Sequence, residues 1–175
     1  MGKSSSASAR FGLWSIGYGY AGFHRSLPQS QSGPLARQLA GVVAASLGLA
    51  NLLKRNDQEL PVLAAMLGLA GDEDEQLQAF LSRHALRLVA LTRGGPGSLL
   101  VGAAGRSERP AVAVEVADTV GAGDAFTAAL VLGLLHGWPL DETNRLAAKV
   151  AAFVCTQPGG TPELPPDLRR HYAAG

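Results

Sequence analysis

The sequence predicts an α/β layered domain, and three observations carry that reading. Short apolar runs with strand spacing alternate with longer stretches whose apolar residues recur at helical spacing, a pattern that places helices against a sheet. The length, 175 residues, is one domain's worth of chain by the usual range of about 100 to 200 residues, enough to bury a core without a disulfide or metal staple. A glycine-rich string also stands where a strand should end and an almost wholly apolar helix should begin, a junction at home in α/β folds.

Residues 1–34 lack any sustained period and are punctuated by Gly, Pro, Ser and Gln, so they read as an irregular basic leader. From Pro34 onward, Leu35, Leu39, Val42, Val43 and Leu47 define a helix, and the run 50–53 reads as a short strand. Asn56 then suits an N-cap with Glu59 three positions on, ahead of a helix whose apolar face is Leu60, Leu63, Ala64 and Leu67. Residues 72–85 predict a third helix with an acidic first turn, packed through Leu77, Phe80 and Leu81. Residues 86–92 read as a buried strand, 93–97 as a turn, and 98–101 as the strand returning from it. A second turn is expected over 105–110, followed by a half-buried strand marked by Val112, Val114 and Val116. The helix 121–136 is apolar nearly all round and should be deeply packed, with Gly137 capping its end. A last helix, capped by Asp141 and facing inward through Leu146, Val150, Phe153 and Val154, should stop at Gln157-Pro158, and residues 167–175 are left as a tail.

Charge is unevenly distributed. No acidic residue precedes Asp57, whereas Lys3, Arg10, Arg25, Arg37, Lys54 and Arg55 all do. The start MGKSSSASAR fits a targeting segment, a loose myristoylation pattern through Gly2 and Ser6, an unstructured leader, or the remnant of a longer upstream region. The net charge of +1 with 17% charged residues argues against a nucleic-acid binder and against an acidic disordered chain. An interaction arm for nucleic acid in residues 1–55 would rest on the charge asymmetry alone. Cys155 is the only cysteine, which excludes an intramolecular disulfide and fits a reducing, cytoplasmic setting. No membrane span is expected: the run 39–53 is shorter than the roughly 20 residues needed and contains Ser46 and Asn51.

The stretch most informative for chemistry is Asp118-Thr119-Val120-Gly121-Ala122-Gly123-Asp124-Ala125-Phe126. At a strand-to-helix junction, glycines let backbone approach an anion, and the unpaired N–H groups of the first helical turn point at it with the positive end of the helix dipole. Asp124 would sit in that turn, where a carboxylate can take a proton from a substrate hydroxyl while the amides stabilise a transferring phosphoryl group. Taken alone, the glycines also fit a mere tight turn, with Asp124 complementing the dipole. Likewise, Asn56 to Glu59 fits a capping box and residues 92–97 a hairpin turn.

The nine-residue string as a whole resembles the second signature of the PfkB, or ribokinase-like, family of sugar and nucleoside kinases. Asn56-Asp57-Gln58-Glu59 resembles that family's N-x-x-E motif, and Thr92-Arg93-Gly94-Gly95-Pro96-Gly97 its T-x-G-x-x-G nucleotide segment. The three stand in the family's order. The resemblance implies a three-layer ribokinase-like fold with a mainly parallel sheet, residues 35–166 being the C-terminal, nucleotide-binding half of a kinase domain. It implies ATP and Mg2+ as ligands, Asp124 as general base, and the amides of Gly121, Ala122 and Gly123 as the anion hole. Thr92, Gly94, Gly97 and Thr119 are carried over as nucleotide contacts, and Glu59 with Asn56 as indirect organisers of Mg2+. Residues 156–162 are similar to a loop that, with Asp118 and the carbonyl of Val120, surrounds a monovalent cation such as K+ in many members; Gly160 and Glu163 depart from the Ala and Ser often found there.

Arg10-Phe11-Gly12-Leu13-Trp14 is similar to a segment of fructokinase-like members, but Ser6 and Ser8 stand where that segment has Asp and Asn. The glycine-rich first signature, the sugar-binding acid and the small β-sheet lid have no counterpart. The expected function is therefore a fructokinase-like, ATP-dependent carbohydrate kinase represented by its C-terminal half, acting on a small sugar such as fructose where the other half is supplied. The alternative is a nucleotide-binding remnant without catalysis. An uncovered sheet edge and helix face would favour self-association.

Overall fold

The computed structural model describes Leu13–Trp14 and residues 33–173. Among them lies one sheet of five strands in chain order: β1 (Leu13–Trp14), β2 (Leu52–Asn56), β3 (Leu88–Thr92), β4 (Ser98–Gly102) and β5 (Gly105–Arg109). The pairings β1 with β2 and β2 with β3 are parallel, whereas β3 with β4 and β4 with β5 are antiparallel. The described sheet is thus evenly mixed, a correction to the mainly parallel sheet expected, because tight turns at 93–97 and 103–104 return the chain as hairpins where a parallel neighbour would need a long crossover. Six helices complete the fold: α1 (Pro34–Leu47), α2 (Glu59–Met66), α3 (Glu73–Arg83), α4 (Ala122–Leu135), α5 (Leu140–Cys155) and α6 (Pro166–Ala173).

Strand periodicity divides the core in two. Leu53, Val89, Leu91, Leu99 and Val101 face one side and are buried with Leu47 of α1, Leu60 and Leu63 of α2, and Leu77 and Phe80 of α3. Leu52, Leu88, Ala90 and Leu100 face the other side and are buried with Phe126, Ala129 and Leu130 of α4, Ala147 and Val150 of α5, and Leu168 of α6. Helices therefore cover both faces of the sheet, the three-layer arrangement expected. The Asp72 cap on α3 is a full capping box, its carboxylate accepting from the Glu75 N–H at 2.9 Å while Glu75 reaches back to the Asp72 N–H at 2.8 Å.

Several expectations are corrected. Residues 105–110 are not a turn but contain β5, whose outward charges Arg106 and Glu108 bind each other and reach Asp74 and Arg93, so the strand reads as a charged loop in sequence. Val112, Val114 and Val116 belong to no strand: they follow Pro110, lie exposed, and only the segment's end is held, by the N–H groups of Ala117 and Asp118 on the Cys155 carbonyl. The short strand expected over 50–53 lies at 52–56, so Asn56 ends the strand and caps the helix at once. Asp141 does not cap α5. The helix starts behind Pro139, and the Asp141 carboxylate instead accepts from Ser107 Oγ at 2.8 Å and pairs with Arg109. Next to this contact the wholly buried Asn144 accepts from Ser98 Oγ at 2.7 Å and donates to the Ser107 carbonyl at 3.0 Å, fixing α5 on the two hairpin strands. Helix α4 is packed on one side only, with Leu132 and Leu135 exposed. The segment expected as a tail forms α6, seated through Leu168, and Leu13–Trp14, inside the expected leader, lie beside β2; the rest of that leader falls outside the described residues.

Candidate active site

The parallel strands β2 and β3 end together, Asn56 opposite Thr92, and the space beyond the carboxyl ends of such strands is where open α/β sheets bind ligands. Asn56 Oδ1 accepts from the N–H groups of Gln58 at 3.0 Å and Glu59 at 2.7 Å, while Glu59 Oε2 accepts from the Asn56 N–H at 3.0 Å. The N-x-x-E motif is therefore a reciprocal cap, and Arg55 Nη1 stands 3.9 Å from the same carboxylate oxygen. The Asp57 N–H donates to the Thr92 carbonyl at 3.0 Å and Thr92 Oγ1 to the Arg55 carbonyl at 3.4 Å, so the first and second motifs are laced together at the strand ends.

Beyond Thr92 the chain turns sharply, with the Arg93 N–H on the Gly97 carbonyl at 2.7 Å and the Gly97 N–H on the Gly94 carbonyl at 2.9 Å. Gly97, at φ 103°, packs directly on the backbone of Arg109, Pro110 and Ala111, where any side chain would collide. Gly94 has open space around it. Of the two glycines, Gly97 thus has a packing reason and Gly94 alone lies free for a ligand to approach.

At the start of α4, Gly121 adopts φ 79°, and a Cβ there would be driven into the carbonyl of Gly160. The glycine string is needed because two backbone loops cross at this point. The Ala122 N–H is turned back on the Thr119 carbonyl at 3.3 Å, whereas the N–H groups of Gly121, Gly123 and Asp124 meet no acceptor among the described residues. These are the donors a bound anion would use. Thr119 and Val120 are exposed beside them. Asp118 ties the crossing loops, accepting from the Val120 N–H at 3.0 Å through Oδ1 and from the Gly159 N–H at 3.3 Å through Oδ2. The Val120 N–H chiefly holds the Asp118 carboxyl below its usual range, against the opposing effect of burial and with help from the N–H groups of Gly159 and Thr119.

Lys54 joins the third motif to the first. It lies on β2 on the face that α4 covers, since it pairs with Ala90, and its Nζ stands 3.3 Å from the point where a Cβ on Gly123 would be. Burial lowers the Lys54 ammonium from its ordinary range, opposed by the charges of Glu59 and Asp124 and assisted by that of Arg55. Lys54 thus feels both Glu59 of the first motif and Asp124 of the third and touches the Gly123 position, on a strand that ends at Asn56 opposite Thr92. Nothing in the pattern had singled out Lys54, although a lysine in the middle of a buried strand and next to N-x-x-E was a visible signal.

As for Mg2+, no group of three or more His, Cys, Asp or Glu side chains that could cage a metal exists among the described residues. Glu59 and Asp124 bring two carboxylates near Lys54, and among the described residues Glu59 accepts a hydrogen bond through Oε2 but not through Oε1. Such a sparse donor set suits magnesium, which keeps several waters and is held largely by substrate phosphates.

Fold and site together define a three-layer α/β protein in which a glycine-rich helix start with unpaired N–H groups lies near the carboxyl end of a parallel strand. The chain belongs to the pfkB family of carbohydrate kinases, whose family model matches residues 25–167. It is similar to the 1-phosphofructokinase of Escherichia coli K12, 34% identical over 111 residues that make up 61% of this chain and 34% of the relative. A nucleoside kinase of Burkholderia thailandensis in complex with inosine superposes with a TM-score of 0.60 at 29% identity, over 69% of this chain and 38% of that one. A ribokinase-like protein of E. coli in complex with ATP and Mg2+ shares the fold at a TM-score of 0.63 and 20% identity, over 70% of this chain and 38% of its own. This chain spans about a third of the first of these relatives and well under half of the two solved ones. No helix among the described residues is long and apolar enough to cross a membrane.

Proposed function

We propose that this chain is the ATP-binding and phosphoryl-transfer portion of a cytoplasmic, fructokinase-like carbohydrate kinase, residues 35–166 forming the C-terminal half of the kinase domain. The observation that carries the reading is the set of unpaired amides at Gly121, Gly123 and Asp124, with the Asp124 carboxylate, set beside Lys54 on the strand that ends at Asn56 opposite Thr92. The likeness to 1-phosphofructokinase supports a sugar hydroxyl as acceptor, and the ATP and Mg2+ bound by the ribokinase-like neighbour support the choice of donor.

In the proposed reaction, Asp124 accepts the proton of the acceptor hydroxyl as that oxygen bonds to the γ-phosphorus. The bond from phosphorus to the β–γ bridging oxygen breaks, and ADP leaves with the electron pair. The amides at the start of α4 receive the charge on the transferring group, which is positioning and electrostatic stabilisation of the kind phosphoryl transfer requires. Glu59, oriented by Asn56, would hold Mg2+ through water, and Mg2+ would supply charge neutralisation at the phosphates. Gly94, Thr92 and Thr119 would approach the nucleotide. Asp118 and the Val120 carbonyl are the proposed edge of a K+ site, whose carboxylate is engaged in the loop crossing in the present conformation.

The limited share of each relative that this chain spans favours a second reading, a nucleotide-binding remnant that turns over no sugar by itself. One experiment separates the two. Calorimetric titration with Mg·ATP should show weak, saturable binding, followed by phosphorylation assays on a panel of sugars and nucleosides, with the chain alone and with the N-terminal half of a family kinase added in trans. Where turnover is seen, Asp124→Ala should lower it by about 10² to 10⁴ with little loss of nucleotide affinity. Near-normal turnover in that variant would remove Asp124 from the mechanism, and absence of nucleotide binding by a folded sample would defeat both readings.

A further inference from the structure

The turn at 93–97 is held by more than its backbone. Arg93 occupies the unspecified position between Thr92 and Gly94, and only 15% of its side chain is exposed. Its guanidinium spans two elements: Nε donates to Glu73 Oε2 at 3.3 Å and Nη2 to Glu73 Oε1 at the start of α3, while Nη1 donates to Glu108 Oε1 of β5 at 2.6 Å. Glu108 also accepts from Arg106 at 3.1 Å, and Arg106 donates to Asp74 at 2.6 Å, so charges of opposite sign alternate from Glu73 to Asp74. The start of α3 is itself fixed by the Asp72 capping box. A two-pronged arginine–carboxylate pair sets direction as well as distance, and linked pairs hold better than isolated exposed ones. On its other side the turn rests through Gly97 on the backbone of Arg109, Pro110 and Ala111. Between these supports its crown is open. Gly94, at φ 62°, and Gly95 have nothing within 4 Å of where a side chain would begin, and their N–H groups meet no acceptor among the described residues.

We infer that Arg93 is a positioning residue of the nucleotide site: its guanidinium, taken up by Glu73 and Glu108, holds the 93–97 turn in the form that presents Gly94, and does not touch the ligand itself. The inference rests on the kinase reading above and deepens it. A turn clamped before the ligand arrives has already met the cost of its own order. Without the clamp, that order must be imposed on binding, and fixing a residue or so of backbone lowers affinity by about tenfold.

The test is calorimetric titration of the full chain with Mg·ATP, in wild type, Arg93→Met, Arg93→Lys and Glu108→Gln, with urea denaturation of each variant alongside. Arg93→Met, which cannot donate, should weaken Mg·ATP by about tenfold. Arg93→Lys keeps the charge but loses the fork, and should fall between that variant and wild type. Glu108→Gln, which removes one of two charged partners, should cost about two- to threefold. A merely structural ion pair would lower the urea midpoint and leave the affinity of the folded variants unchanged, and that result overturns the inference. NMR on the labelled wild-type chain supplies a second measure independent of any variant's folding. Saturating Mg·ATP should shift the Gly94 amide and leave the Arg93 Nε–H signal in place. A large shift of that Nε–H would make Arg93 a ligand contact, and an unmoved Gly94 amide would give the turn no part in binding; either overturns this inference alone. Failure of the folded wild-type chain to bind ATP overturns the kinase reading and the inference with it.

Discussion

Gly121 is the residue at which local backbone, loop crossing and chemistry all meet. Its φ of 79° lies in the left-handed region, and its missing side chain lets the Gly160 backbone come into contact. Replacing it with alanine adds conformational strain and a collision with backbone that cannot swing aside, so Gly121→Ala should destabilise the chain by about 2 kcal/mol or more and weaken nucleotide binding with it. Chemical denaturation and calorimetry measure the two effects, and a variant as stable as wild type would show that the crossing is loose. The glycine string was legible in sequence because a residue type tied to unusual backbone angles announces itself. The partner of Gly121 was not, since Gly160 stands 39 positions on and only the tertiary fold brings the two loops together. Lys54 was overlooked for a related reason: on a strand, the sequence states that alternate residues share a side but not which helix start will lie above them.

Among the elements, the beginning of α4 and the end of α5 are joined through Asp118, which accepts from the Val120 and Gly159 N–H groups. Because these donors favour the carboxylate, chiefly the Val120 N–H, the folded group titrates below its usual range. The sign follows directly: the tie is fully present above the ordinary aspartate value of about 3.9 and is lost as pH falls through the lowered folded value. In a pH titration followed by NMR, the Val120 and Gly159 amides should therefore shift together with a midpoint below that of an exposed aspartate; a midpoint at or above it would contradict the tie. Helices α1, α2 and α3 could be placed from sequence to within a few residues, α1 from the spacing of its apolar residues and α2 and α3 also from the Asn56–Glu59 and Asp72–Glu75 pairs ahead of them. Strand β5 could not, because its exposed side is built from Arg106 and Glu108, paired with each other and with Asp74 and Arg93, and its one buried side chain is Ser107, held by Asp141 and Asn144. The alternating valines 112–116 misled in the opposite direction: period 2 describes an extended chain, but a strand also needs a partner for its backbone, and none pairs there among the described residues.

For the molecule as a whole, the described sheet leaves β2 beside a strand of only two residues, while Val120, Leu132 and Leu135 stand exposed on and before α4. Open edges and exposed apolar side chains favour association. The chain should self-associate or bind a complementing kinase half at micromolar concentration, as measured by size-exclusion chromatography with light scattering; a stable monomer that exposes no dye-accessible apolar surface would contradict this. The proposed nucleotide site is placed at the carboxyl ends of β2 and β3, on elements that pack within this chain, so it should form with or without a partner. The most direct measurement is an NMR titration of the isotopically labelled chain with Mg·ATP. If phosphate is received at the start of α4, the amides of Gly121, Gly123 and Asp124 should shift most strongly and saturate together, and AMP should move them far less. Saturable ATP binding that leaves those three amides unmoved would contradict the assignment of this helix start as the phosphate site.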